Sequence, residues 1–135
     1  MMLEVTSGVI ATLLAEACAA APEECCGLLL GAEARITQAR PARNVAADPV
    51  RRFEIDPATL LAAHRKARAG GAQVLGYYHS HPAGHPTPSA TDCEHASGDA
   101  RVWAIIAKDE VRFWRDGPAG FVPLAYRVSN APREI

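Results

Sequence analysis

Between residues 7 and 21 the apolar positions Val9, Ile10, Leu13, Leu14, Ala17 and Cys18 return every three or four residues, the period of a helix buried along one face. Ser7 is the expected N-cap and Pro22 the stop. The pattern then changes. "LEV" (3–5) and "CGLLLG" (26–31) are short apolar runs, the second bounded by glycines, and read as strands. "ARITQAR" (34–40) follows a tight turn and completes a hairpin, and "RRFEI" (51–55) reads as a further short strand after a loop. Asp56 as cap, Pro57 as first helical residue and Gly70-Gly71 as terminator predict a second helix. "QVLGYYHSH" (73–81) is a strand, "SATDCEHASG" (89–98) a short helix, and 101–107, 111–116 and 121–128 are strands, the last pushed to a sheet edge by Pro123. The sum is an α/β fold: one mixed sheet with two main helices and one short one.

Composition narrows the class. A chain of 135 residues suits one domain over 1–135. With 49% hydrophobic and 21% charged residues it falls among soluble globular proteins. A net charge of -1 gives no global electrostatic footprint for nucleic acid. "VIATLLAEACAAAP" (9–22) imitates an export signal, but no Lys or Arg precedes it and Glu16 interrupts it, so an amphipathic helix is expected. No apolar run reaches membrane-spanning length. Cys18, Cys25, Cys26 and Cys93 form no CxxC pair, and adjacent cysteines rarely meet disulfide geometry. Reduced thiols in a cytoplasmic protein are expected.

The chemistry concentrates in "HSHPAGHPTPSATD" (79–92). Side chains alternate along a strand, so His79 and His81 project to one side. Pro82, Pro86 and Pro88 stiffen the following loop. Ser89 and Asp92, three apart, share a helix face, and the turn can fold that face over the strand end. Taken alone, "SATD" is a capping box and "HxH" a weak signal. Together, two imidazoles and a carboxylate make a three-ligand set for Zn²⁺ with a fourth position open, the pattern of catalytic zinc. A base must also lie near the strand end, and "EECCG" (23–27) offers Glu23 and Glu24 beside an apolar run.

These residues resemble a known family. "E-x-C-G-L-L-L-G" at 24–31 with "H-S-H-P-x(6)-S-x-x-D" at 79–92 is similar to the JAMM (MPN+) zinc metallopeptidases, and the likeness covers nearly the whole chain as a small stand-alone prokaryotic type. The resemblance implies a mixed sheet flanked by helices, with a sheet architecture similar to the zinc deaminases. It implies that His79, His81 and Asp92 bind one zinc ion per chain and that Glu24, rather than Glu23, is general base and then general acid. It assigns Ser89 to the oxyanion of the tetrahedral intermediate. The implied activity is hydrolysis of a peptide or isopeptide bond after the C-terminal Gly-Gly of a ubiquitin-like or sulfur-carrier protein. The expected assembly is a monomer or a homodimer, with no membrane and no nucleic-acid partner. His85, inside the loop, and His95, three residues past Asp92, are extra imidazoles read as surface residues, and Cys26 is read as core packing.

Two other classes compete. RadC-like proteins carry a similar His-rich loop, which would shift the partner to DNA; the E-x-C-G strand and the near-neutral charge stand against it. A module that grips a ubiquitin-like tail without cutting is the second, and it has no need of Glu24. A zinc deaminase needs H-x-E and P-C-x-x-C, and neither occurs.

Overall fold

The computed structural model describes residues 2–130; Met1 and residues 131–135 of the expected 1–135 domain lie outside the described residues. In chain order the elements are β1 (Leu3–Thr6), α1 (Ser7–Ala20), β2 (Cys26–Ala32), β3 (Arg35–Ala42), α2 (Pro57–Arg68), β4 (Gln73–Ser80), α3 (Ala90–His95), β5 (Val102–Ala107), β6 (Glu110–Gly117), β7 (Gly120–Leu124) and β8 (Tyr126–Ser129). The strands form one 8-stranded sheet in the order β7-β6-β5-β4-β2-β3-β1-β8. It is mixed: β4 pairs with β5, and β1 with β3 and β8, in parallel, while the other pairs are antiparallel. The α/β architecture read from the sequence is the one observed.

Alternation along the strands builds two cores. Leu29 of β2, Tyr78 of β4 and Ala104 and Ile106 of β5 pack with Val9 and Leu13 of α1 on one face. Leu28 and Leu30 of β2 and Val74 of β4 pack with Ala63 of α2 on the other. The period of two thus sends Tyr78 to the α1 face, while Tyr77 joins the α2 face. Gly27 lies opposite Tyr78 in the β2–β4 ladder. A Cβ at residue 27 would run into the Tyr78 ring and the Arg40 carbonyl, so only glycine fits there.

Four expectations need correction. The cap of α1 is Thr6, whose Oγ1 accepts from the Val9 N–H at 3.3 Å, and Ser7 is the first helical residue. β1 leads directly into the helix, and its extended last residue holds the hydroxyl over the first turn. No strand forms at 51–55; a single bridge joins Asn44 and Ile55. The N–H groups of Arg51 and Arg52 both turn back to the Asp48 carbonyl, at 3.2 and 3.1 Å, which curls the segment out of extended form. The short helix stops at His95, because the Asp116 carboxylate accepts from the N–H groups of Ser97 and Gly98 at 3.0 and 3.1 Å. The stretch 121–128 is two strands, β7 pairing with β6 and β8 with β1, at opposite edges of the sheet. The sheet curls around α1 and brings those edges together: the Tyr126 hydroxyl donates to the Val111 carbonyl at 3.1 Å, and its ring packs on Phe113. Pro123 does sit on an edge strand, opposite Trp114.

Among the described residues no helix is long and apolar enough to cross a membrane. The stretch resembling an export signal is α1, folded against the core. All four cysteines are free thiols.

Candidate metal centre

The connection from β4 to its parallel neighbour β5 carries the His-rich loop and α3 across the sheet. A parallel pair needs such a crossover, and it leaves the end of β4 facing the start of α3. His79 is buried near the end of β4, and His81 follows as the pairing with β5 runs on, its N–H donating to the Ile106 carbonyl at 2.8 Å. Ser80, between them, points to the other face and is buried. Its Oγ accepts from the Cys25 N–H at 2.8 Å, tying β4 to the chain just after Glu24.

The two imidazoles and Asp92 converge. His79 Nε2 lies 3.1 Å from His81 Nε2 and 3.1 Å from Asp92 Oδ2, and His81 Nε2 lies 3.2 Å from the same oxygen. Glu24 offers a carboxylate oxygen within 4.8 Å of both imidazole donors. Three donors about 3.1–3.2 Å apart match the edges of a tetrahedron whose centre lies about 2 Å from each, the bond length of zinc to His and Asp. The tighter set is His79, His81 and Asp92, and Glu24 stands one layer further out. Two imidazoles and a carboxylate fit zinc better than a hard cation, which takes oxygen alone.

Neighbouring groups hold each donor. The His81 Nδ1–H donates to the His85 carbonyl at 2.7 Å, which leaves Nε2 as the lone-pair nitrogen facing the centre. The loop carrying that carbonyl is itself pinned, since the Trp114 indole N–H donates to the Pro86 carbonyl at 3.2 Å. Phe53 stacks on His79, ring centroids 4.2 Å apart, and Trp103 meets both edge-on. His79 Nδ1 is buried with no partner among the described residues. Asp92 Oδ2 accepts from the Ser89 N–H at 2.9 Å while Ser89 Oγ accepts from the Asp92 N–H at 3.0 Å, the capping box. Among the described residues Ser89 Oγ acts only as an acceptor, and Ser89 lines an open groove of about 300 Å³ together with Glu24, His81, Ala83 and Gly84.

The electrostatics follow from burial. Glu24 is only 6% exposed, and desolvation lifts its carboxyl from 4.5 to about 7; nearby His81 opposes the rise and Asp92 adds to it. Burial also favours neutral His79, whose pKa falls although Asp92 pulls the other way. For His81, burial is outweighed by the Asp92 carboxylate and the His85 carbonyl, and its pKa rises. Burial would raise the Asp92 pKa, but hydrogen bonds from both imidazoles and from the Ser89 N–H together hold it well below the usual carboxylate range.

All five residues singled out in the sequence therefore meet here. His85 contributes its carbonyl while its side chain is exposed, and His95 ends α3 on the surface. Cys26 is buried, its thiol pushed up to about 12 by desolvation, as a packing residue would be. Cys25 packs in the core on the α1 face. Sequence reasoning missed Ser80, Phe53, Trp114 and Asn44. For Ser80 a signal was present: alternation sends it to the buried face opposite the histidines, where a hydroxyl needs a partner.

Residues 6–117 match the family described as prokaryotic homologs of the JAB domain, and the chain belongs to that family. It is a small protein of the JAMM/MPN type. It is 42% identical over 90 residues to the desampylase of Haloferax volcanii, covering 65% of each chain, so it spans just under two thirds of that relative's length. It is 33% identical over 113 residues to a probable TtuB-protein conjugate cleaving protease of Thermus thermophilus, covering 83% of this chain and 74% of that one. A solution structure of a Desulfitobacterium hafniense protein superposes with a TM-score of 0.85 at 28% identity, covering 96% of this chain and 94% of the other.

Proposed function

We propose that this chain is a zinc-dependent isopeptidase of the JAMM type that cleaves ubiquitin-like or sulfur-carrier proteins from their conjugates, at the bond following a C-terminal Gly-Gly. The observation that carries this reading is the convergence of His79, His81 and Asp92 within 3.1–3.2 Å, with the Glu24 carboxylate just behind. A binding module has no use for a buried carboxyl at that place. The names of the Haloferax and Thermus relatives agree with removal of a protein modifier.

His79, His81 and Asp92 hold one Zn²⁺. When bound there, zinc supplies Lewis acidity, acidifying water and polarising the scissile carbonyl. The rest is done by the chain. Glu24, its carboxylate held just behind the two imidazoles, takes a proton from the attacking water and delivers it to the leaving amine as the C–N bond breaks. The Ser89 hydroxyl donates to the oxyanion formed at the carbonyl, a contact typically worth about 3 kcal/mol. The open groove past Glu24, His81 and Ser89 gives an extended tail a path, and the small Ala83 and Gly84 walls suit glycines. A cytoplasmic setting, in which the four thiols stay reduced, completes the reading.

Intact mass spectrometry tests it. A ubiquitin-like sulfur carrier extended past Gly-Gly, and one linked to a lysine side chain, are incubated with the zinc-loaded protein and with Glu24→Gln. A product ending at Gly-Gly, formed by the unaltered protein and lost in the variant, is expected. Stoichiometric zinc with neither substrate cut would overturn the proposal.

A further inference from the structure

Glu24 lies just before β2 begins, so no ladder partner holds its peptide groups. They are nevertheless both bonded, and to the same loop. The Glu24 N–H donates to the Pro49 carbonyl at 2.8 Å, and the Glu24 carbonyl accepts from Asn44 Nδ2 at 3.0 Å. Asn44 does much more. Its Nδ2 also donates to the carbonyls of Arg52 at 3.1 Å and Pro49 at 3.4 Å. Its Oδ1 accepts from the N–H groups of Ala46 and Glu54, both at 3.1 Å. Carbonyls crowd one end of the amide and N–H groups the other, so only one orientation satisfies the network. One side chain thus gathers residues 44–54 into a closed loop and sews that loop to Glu24. The same loop delivers Phe53 onto His79 and Arg51 to the groove wall.

We propose that Asn44 is the positioning residue of this site: it fixes the Glu24 main chain, and so the carboxylate, against the two imidazoles. The role rests on the reading of Glu24 as proton carrier. Asn44 acts through Glu24, and nothing requires it to touch substrate. Its chemistry is specific. Aspartate has the same shape and keeps the acceptor for Ala46 and Glu54, but turns an anionic oxygen towards the three carbonyls. Alanine removes all five contacts. A misplacement of about 1 Å at a reacting group can cost on the order of a hundredfold in rate.

The test uses Asn44→Asp and Asn44→Ala in the full chain, with Glu24→Gln alongside. Three readouts are taken: amide hydrogen exchange at Glu24, zinc per chain, and kcat and KM on the Gly-Gly conjugate. The expected result for whichever variant keeps the native circular dichroism is exchange at Glu24 at least about tenfold faster. Amides of the β2–β4 ladder stay protected, zinc stays at one per chain, and kcat falls about 10- to 100-fold with KM within about twofold. Wild-type protection at Glu24 with wild-type kcat would overturn the proposal. So would a loss of kcat matched by equal loss of zinc or of folded protein, which is what a purely structural role predicts. Should Glu24→Gln cleave like the unaltered protein, the reading of Glu24 fails. Exchange at Glu24, whose N–H is held by the Pro49 carbonyl of the loop that Asn44 closes, then still decides whether Asn44 anchors that stretch of main chain.

Discussion

Replacing Glu24 by Gln should stabilise the zinc-free protein at pH 8 and leave it unchanged at pH 4. The carboxyl is buried beside β2, and desolvation lifts it from 4.5 to about 7. The folded chain therefore holds this proton more tightly than the unfolded chain. Stability from the protonated form is complete below about pH 4.5, declines as pH rises, and is gone above about pH 7. At about 1.4 kcal/mol for each tenfold difference in proton affinity, the displacement from 4.5 to about 7 sets a ceiling of about 3.5 kcal/mol. The groove admits solvent, and His81 faces the carboxylate, so about 2 kcal/mol is the working figure. For a chain of this size that corresponds to a Tm about 5–10 °C higher for the variant at pH 8. The assay is differential scanning calorimetry of both proteins after chelation, from pH 4 to pH 8. Groups that do not interact with Glu24 cancel in the difference. The same variant should lose about a hundredfold or more in kcat, since it can no longer carry a proton. A Gln variant that melts at or below the unaltered protein at pH 8, or an offset as large at pH 4, would refute the burial argument.

Ser89→Ala should lower stability by about 1 kcal/mol through the lost cap, as seen in thermal melts. It should lower kcat about 100- to 1,000-fold with zinc retained, as seen in steady-state kinetics. Zinc should protect the fold: with free zinc at 1,000 times its Kd the gain is about 4 kcal/mol, read as a Tm shift on adding chelator. Asp92→Asn should shrink that shift, because the amide is a poorer zinc ligand than the carboxylate. Gly27→Ala should destabilise by about 2–3 kcal/mol in denaturant melts, because its Cβ would meet the Tyr78 ring and the Arg40 carbonyl.

Only the family resemblance set Glu24 apart from Glu23; the sequence by itself determined the helices, the hairpin, the strand that carries the histidines and the grouping of His79, His81, Ser89 and Asp92. Local rules suffice for these. A period of three to four marks α1, Asp56-Pro57 marks the start of α2, and alternation places His79 and His81 on one side. The spacing of Ser89 and Asp92 already contained the capping box. What only the tertiary structure decided depends on partners far apart in the chain. The stretch 121–128 divides at Ala125 because a curled sheet offers it an edge on either side, and no local pattern encodes that curl. "RRFEI" has strand propensity, yet Phe53 turns inward onto His79 because the Asn44 amide and the Asp48 carbonyl claim the main-chain groups around it. Asn44 itself looks like one more loop asparagine until the fold sets Glu24 beside it. Hydrogen bonds between a single side chain and residues 24, 46, 49, 52 and 54 exist only once those segments meet. A sequence displays its periodicities and its motifs, but the closure of a loop on a distant peptide is a property of the folded chain.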